Sequence, residues 1–513
     1  MISPASQRSV PIAWNTLLIL VAAKIGIHAL LSGPLAWGYM TDELYLLDSL
    51  DRLDWGFVDH PPLSVALLLL VRTVLGDSIV AIRILPALFS AAIVLITGLL
   101  ARELGGGKTA QPLAALAALV TPVYLAMGSY HSMNPIDQAL WAVGMLLFAR
   151  ILNGSSDRLW IPLGFVVGLG LLNKIGMLWF GAGIAAGLLL TPDRRRLATR
   201  WPWIAGLIAM GLFAPFVLWQ WHNDWPFLEF SRNAALHKIG FVSPLKFFLD
   251  QILVMNPVTA PLWMAGLVFC FATAAGSRHR PIAWISVTTF VILAVSGSAR
   301  VHYLAPVFPI LFAAGSVLME RLATSRPWLP RTAIVTLITG GLVSLPITVP
   351  IFSPPVTEAY QEAIGLSPPQ ELEGSGRLPL IHALSLHAVA LLDAVSEVYH
   401  RLPPEDRARA TILTGSFGET GAINVLGPKL GLPPSIGTHN QYWLWGPGDA
   451  TGELMIVVHE PGPQLSRWFR NCERAAEIEC PYCMPLLDAK AVFVCREPRR
   501  SLRELWPEMK LYR

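Results

Sequence analysis

Charge is scarce in this chain. Asp, Glu, Lys and Arg make up 14% of its 513 residues, against about 25% in soluble domains. Hydrophobic residues make up 54%, and the mean hydropathy is +0.52. This excludes a soluble globular protein and points to an integral membrane protein. Long basic runs are missing too. The densest, Arg194-Arg195-Arg196, lies between two hydrophobic stretches, where the positive-inside rule puts a cytoplasmic loop, so nucleic acid is not an expected partner. No internal repeat is present, although transporters are often built from inverted repeats. Cysteine is rare. Cys270 lies in an apolar run, and Cys472, Cys480, Cys483 and Cys495 cluster near the C-terminus.

Hydrophobic runs dominate residues 1–350. They predict about eleven transmembrane helices, near 12–31, 79–101, 112–129, 135–152, 159–172, 175–191, 202–220, 248–273, 281–297, 303–320 and 332–350, most of them near the roughly 20 residues a bilayer requires. The run Leu63–Leu75 is too short to span and fits an interfacial or re-entrant helix. With the N-terminus in the cytoplasm, every cytoplasmic connection carries Lys or Arg, including Arg102, Lys108, Arg158, Arg278 and Arg321. The first loop, residues 32–78, and the C-terminal segment then fall on the opposite, outer face.

Residues 351–513 turn polar. Short β-type runs at Thr411–Leu413, Leu454–Val458 and Ala491–Val494, with the helical stretch Glu419–Leu430 between them, predict a soluble α/β domain. On an oxidising face its four cysteines favour two disulfides over a zinc site.

The chemistry is expected on the outer face. The first loop holds Asp42, Glu43, Asp48, Asp51, Asp54 and Asp59 against Arg52, and ends in His60-Pro61-Pro62. Carboxylates beside a membrane helix suit a general base or a divalent metal. The same face collects Tyr130, His131, Asn134, Asp137, Lys174, Lys238, Arg300, His302 and Tyr303, whose cations suit a phosphate. Asp137, one helical turn after Asn134, either hydrogen-bonds inside the bundle or serves the site. Lys174 either snorkels to a headgroup or binds a lipid phosphate.

The pair Asp42-Glu43, followed by Tyr45 and His60-Pro61-Pro62-Leu63, resembles the polyprenyl-phosphate-dependent glycosyltransferases of the GT-C fold, a superfamily that includes protein O-mannosyltransferases and the aminoarabinose transferase of lipid A. Arg83, Ser132-Met133-Asn134, Leu172-Asn173-Lys174 and Arg300-Val301-His302-Tyr303 follow in the matching order. The outer segment resembles a bacterial subgroup through Gly437–Gly446 and Cys480-Pro-Tyr-Cys483. The resemblance implies a bacterial inner-membrane protein with its outer face in the periplasm, where a sugar would pass from a polyprenyl-phosphate donor, with inversion, to a lipid, glycan or protein acceptor. Asp42 and Glu43 would be the catalytic carboxylates. Tyr45, His60, Arg83, Lys174, Arg300, His302 and Tyr303 would bind donor and lipid phosphate. A divalent metal, where one assists, would take Asp42, Asp137 and His131 as candidate ligands; many relatives carry an acid where this chain has Asn134. A transporter or flippase of a lipid-linked sugar and a non-catalytic sugar-binding membrane protein are the alternatives.

Overall fold

The computed structural model describes residues 10–33, 35–366, 376–484 and 490–513. The chain is a multi-pass helical membrane protein with a small sheet domain at its C-terminus. Among the described residues, seven helices before residue 350 are long and apolar enough to cross a bilayer: Trp14–Ser32, Ile79–Glu103, Met133–Leu152, Trp201–His222, Ser277–Ser296, Val301–Leu322 and Leu329–Thr348. Each coincides with an expected span.

The other four expected spans are helical but interrupted or short. The run near 112–129 divides into Ala110–Val120 and Pro122–Met127, because Pro122 has no N–H to continue the ladder. The run near 248–273 bends by 98° between Pro244–Val254 and Pro257–Ala272, at Asn256, whose φ is +76°, and Pro257. Trp160–Asn173 and Met177–Leu189 have 14 and 13 residues. Leu63–Leu75 is a helix of 13 residues, and its buried Val65 and Leu68 pack on Leu46, Leu47, Phe57 and Ile82.

Beyond residue 350 the domain is a five-stranded mixed sheet. Its strands are β1 (Thr411–Thr414), β2 (Ser435–Gly437), β3 (Leu454–His459), β4 (Phe469–Glu477) and β5 (Ala491–Pro498), in the order β2-β1-β3-β5-β4. β1 pairs in parallel with β2 and β3, while β5 runs antiparallel to β3 and β4. The helix Phe417–Leu426 makes the crossover from β1 to β2. One sheet face is covered by Leu380–Arg401, a helix apolar enough to span a membrane. Its Leu391, Val395 and Val398 are instead buried against Ile412, Ile456 and Val494. The other face packs on Leu502, Leu505 and Trp506. Cys472 and Cys495 sit opposite one another on β4 and β5 and form a disulfide, and Cys480 pairs with Cys483.

Candidate active site

The acidic loop folds as a short helix, Thr41–Asp48. Eight residues are too few to hold a helix by themselves, so tertiary contacts set its position. Glu43 makes the decisive ones. Its Oε2 accepts the backbone N–H of Met40 at 2.9 Å, closing a capping box. Arg83, entering from the second long helix, donates Nε to Oε1 at 2.8 Å and Nη2 to Oε2 at 2.6 Å. The backbone N–H of His131 also reaches Oε1, at 2.9 Å, and Arg83 Nη2 further donates to the Gly38 carbonyl at 2.8 Å. Glu43 is fully buried and Arg83 is 6% exposed. Both were expected at the chemistry, one as a catalytic carboxylate and the other on the lipid phosphate. The geometry makes them a charge-neutral strut that ties the acidic loop to two other segments.

Asp42 differs from its neighbour. It is half-buried, and among the described residues it makes no hydrogen bond or ion pair. Burial pushes its pKa up, while Lys238 and Arg300 pull it back and Asp59 and Glu43 add to the rise. Lys238 lies in a π-helical turn, Ala235–Ile239, a feature frequent at functional sites, with its Nζ 5.8 Å from the centroid of the Phe417 ring. The sequence offered Lys238 only as one polar residue among many.

The remaining expected residues divide into three groups. Tyr45 donates its hydroxyl to Asp59 Oδ1 at 2.8 Å, and His60 is buried with Nδ1 3.0 Å from the Pro61 carbonyl and its ring stacked on Phe57; these two brace the loop. Lys174 donates to Asn134 Oδ1 at 2.8 Å and stands 4.7 Å from the centroid of the Tyr303 ring, which contacts His302 edge-on. That leaves a cation beside the position where an acid was the family expectation. Asp137 is buried beneath it with Oδ1 unpartnered among the described residues. The third group is the metal set. His131 turns Nε2 to the Ser64 carbonyl at 3.0 Å, and no group of three His, Cys, Asp or Glu among the described residues is arranged to hold a metal ion. Asp42, Asp137 and His131 do not form the expected ligand set.

The C-terminal domain supplies residues that the sequence did not assign to the site. Tyr442 OH and Asn424 Nδ2 both donate to Asp48 Oδ2, at 2.6 and 2.8 Å. Asn440, held at φ +47°, donates to Asp59 at 3.3 Å, and Val58 N–H reaches Gln441 Oε1 at 2.9 Å. The motif Gly437–Gly446 was therefore a legible signal, but for docking: Trp443 and Trp506 exchange indole-to-carbonyl hydrogen bonds at 2.8 and 2.9 Å within the domain.

Comparison with known proteins agrees with this architecture. The family model described as dolichyl-phosphate-mannose-protein mannosyltransferase matches residues 59–219. The crystal structure of ArnT from Cupriavidus metallidurans superposes in its apo state with a TM-score of 0.61 and 13% identity, covering 94% of this chain and 98% of that one. The fold is GT-C. The same protein bound to undecaprenyl phosphate gives a TM-score of 0.59 at 14% identity over 93% and 97% of the two chains. Undecaprenyl phosphate-alpha-4-amino-4-deoxy-L-arabinose arabinosyl transferase 2 of Pseudomonas fluorescens is 24% identical over 340 residues, 61% of this chain. The GT-C chain described here thus spans 55% of the length of that curated relative.

Proposed function

We propose that this protein is a glycosyltransferase that moves a sugar from a polyprenyl-phosphate donor to an acceptor at the periplasmic face of the inner membrane. The acceptor is a lipid, a glycan or a protein. The observation that carries the reading is the contrast between Asp42 and Glu43. One carboxylate is locked into the fold, while its neighbour is half-open, unpartnered among the described residues and under the field of Lys238 and Arg300. A carboxylate whose pKa is raised above the ordinary range is a better base near neutral pH.

In this reading Asp42 takes the proton from an acceptor hydroxyl or amine as that atom attacks the anomeric carbon. The bond from that carbon to the phosphate oxygen breaks on the opposite side, so the configuration inverts. The leaving phosphate keeps the bonding electrons and stays on its lipid, where Lys238, Arg300 and Lys174 offset the developing charge. No step runs through a metal on Asp42, Asp137 and His131, because they are not gathered as ligands. Support for a polyprenyl-phosphate donor comes from the fold shared with a protein crystallised with undecaprenyl phosphate.

The test is sugar transfer from a panel of radiolabelled polyprenyl-phosphate sugars by the full chain in lipid nanodiscs, with membrane extract as acceptor. Wild type transfers from one donor class. Asp42→Asn binds that donor and does not transfer. Wild-type turnover retained by Asp42→Asn, or donor binding by wild type with no transfer from any donor, would overturn the reading.

A further inference from the structure

Lys238 lies in a segment with little burial of its own. In the helix before it, Pro226–Ala234, only Pro226 and Ala234 are buried, and the turn Ala235–Ile239 has no buried residue. The segment is tied near its two ends. Trp225 and Phe227 N–H donate to the backbone carbonyl and to Oε1 of Gln220 at 2.7 and 3.1 Å, and Val242 N–H donates to the Gly297 carbonyl at 2.7 Å. Neither tie reaches the middle, where a cation has to stand near Asp42.

The C-terminal domain reaches that middle through Lys510–Arg513. Lys510 Nζ donates to Glu229 Oε2 at 2.6 Å, crossing from the domain to the helix before Lys238. A partly exposed ion pair counts for little alone. This ammonium, however, is caged. It stands 4.8 Å from the centroid of the Trp443 ring and 4.2 Å from that of Tyr512, and the two rings meet edge-on at 5.4 Å. The ring faces hold the cation where it meets Glu229. The backbone beneath is well seated. Asn440 N–H donates to the Leu511 carbonyl at 2.9 Å, and Leu511 N–H to the Thr438 carbonyl at 3.0 Å. His439 Nδ1 accepts the Phe417 N–H at 3.3 Å, so the ring proton is on Nε2, which donates to the Arg513 carbonyl at 2.8 Å. That imidazole lies 5.1 Å from the Phe417 ring, the same ring that Lys238 faces. Asn440 also donates to Asp59 of the acidic loop. One short segment therefore bears on both sides of the site, on the acidic loop through Asn440 and on the Lys238 segment through Lys510.

We propose that Lys510 is a positioning residue: the segment Lys510–Arg513 straps the helix Pro226–Ala234 to the C-terminal domain and so sets Lys238 beside Asp42 for the donor phosphate. This rests on the transferase reading above, and the two fail separately. Hydrogen exchange is measured on the full chain in nanodiscs. Peptides covering 226–239 should exchange about tenfold faster in Lys510→Met, which loses the ion pair and both ring contacts, and near the wild-type rate in Lys510→Arg, which keeps them. In the transfer assay Lys510→Met and Glu229→Gln should raise the donor KM about tenfold and leave the acceptor KM within about twofold. The pH profile adds a readout that simple loss of folded protein would not move. Asp42 is faced by Lys238 and Arg300, which lower its pKa, by Asp59 and Glu43, which raise it, and by Tyr130. Letting Lys238 drift away should therefore move the acid limb of kcat/KM up by about 0.5 pH unit in Lys510→Met. Unchanged exchange in folded Lys510→Met would overturn the strap. Faster exchange with a wild-type donor KM and acid limb would overturn the positioning role. Faster exchange with no wild-type transfer from any donor would sink the transferase reading, and the positioning role with it, and leave the strap standing.

Discussion

Replacing Glu43 by Gln separates a strut from a catalytic group. The substitution keeps the shape and removes the charge. It leaves the Arg83 guanidinium buried, 6% exposed, with only the Gly38 carbonyl as a strong partner. Breaking a buried ion pair by removing one side costs about 3–5 kcal/mol. The amide retains one oxygen for the backbone N–H groups of Met40 and His131, so the lower end of that range, about 3 kcal/mol, is expected. Arg83→Met should cost a similar amount, since it strands Glu43. The double variant should lose less than the sum of the singles by about 2 kcal/mol, because each single change already forfeits the shared interaction.

The measurement is reversible unfolding of the four proteins in SDS–lipid mixtures, with donor and acceptor KM recorded on the same preparations. A strut predicts strong thermodynamic coupling, and turnover falling alike in both single variants. The reasoning is refuted if both singles stay within about 0.5 kcal/mol of wild type and the double is additive. It is equally refuted if Arg83→Met raises the donor KM alone, since Arg83 would then be on the phosphate, as the family resemblance implied.

Other perturbations test other parts. Asp42→Asn should lower kcat/KM by about 10²–10⁴ and abolish an acid limb that, in wild type, lies above the ordinary aspartate range because burial disfavours the charged form. Its folded pKa is raised, so the ionised carboxylate weakens the fold as pH climbs through that pKa; the Asn variant should therefore be the more stable protein at neutral pH. Buried Glu419 is contacted by Lys490 at 2.7 Å and His387 at 3.7 Å. Burial alone would raise its pKa, but these partners win and hold it at about 2 against an ordinary 4.5. The contribution, about 3 kcal/mol, is present above pH 4.5 and lost as pH falls towards 2. Hydrogen exchange of the β1 and β3 peptides should show that loss in wild type and much less of it in Glu419→Gln; matching profiles would contradict the triad. Lys24, in the first membrane helix, is fully buried, and its Nζ has no partner among the described residues. Lys24→Met should raise unfolding stability by about 1–3 kcal/mol, and a destabilised variant would mean the amine is held after all.

The legible part of this protein is the part set by hydrophobic runs. Every expected span is a helix, because about 20 apolar residues permit little else in a bilayer. The interruptions were less legible, since a proline such as Pro257 ends a helix in one context and only kinks it in another. Leu380–Arg401 shows the limit from the other side. Its hydropathy is that of a span, but its apolar face is buried on a sheet, and hydropathy does not report which surface does the burying. At the site, composition put the acids on one loop but did not divide Asp42 from Glu43. Their difference comes from Arg83, forty residues away. Lys238 was hidden for a like reason: a lysine in a long polar loop carries no local mark of what it faces.

The C-terminal segment, read from sequence as a separate domain, takes part in positioning Asp42. The helix Phe417–Leu426 lies against the helix Thr41–Asp48 at a distance only glycine allows. A Cβ on Gly418 would come within 2.8 Å of the Thr41 side chain, and one on Gly421 within 2.8 Å of the Leu44 backbone. Beside this contact Asp48 is held by Tyr442 and Asn424, and Asp59 by Asn440. A helix of eight residues is thus clamped between the Glu43–Arg83 pair and two glycines of the other domain. A small shift of a catalytic carboxylate is enough to slow a reaction about a hundredfold. Gly421→Ala must push the two helices apart, because the atoms it meets are backbone and cannot rotate away. It should lower kcat strongly while donor binding at Lys238 and Arg300 changes little. Full activity in that variant would mean that the clamp does not set the position of Asp42.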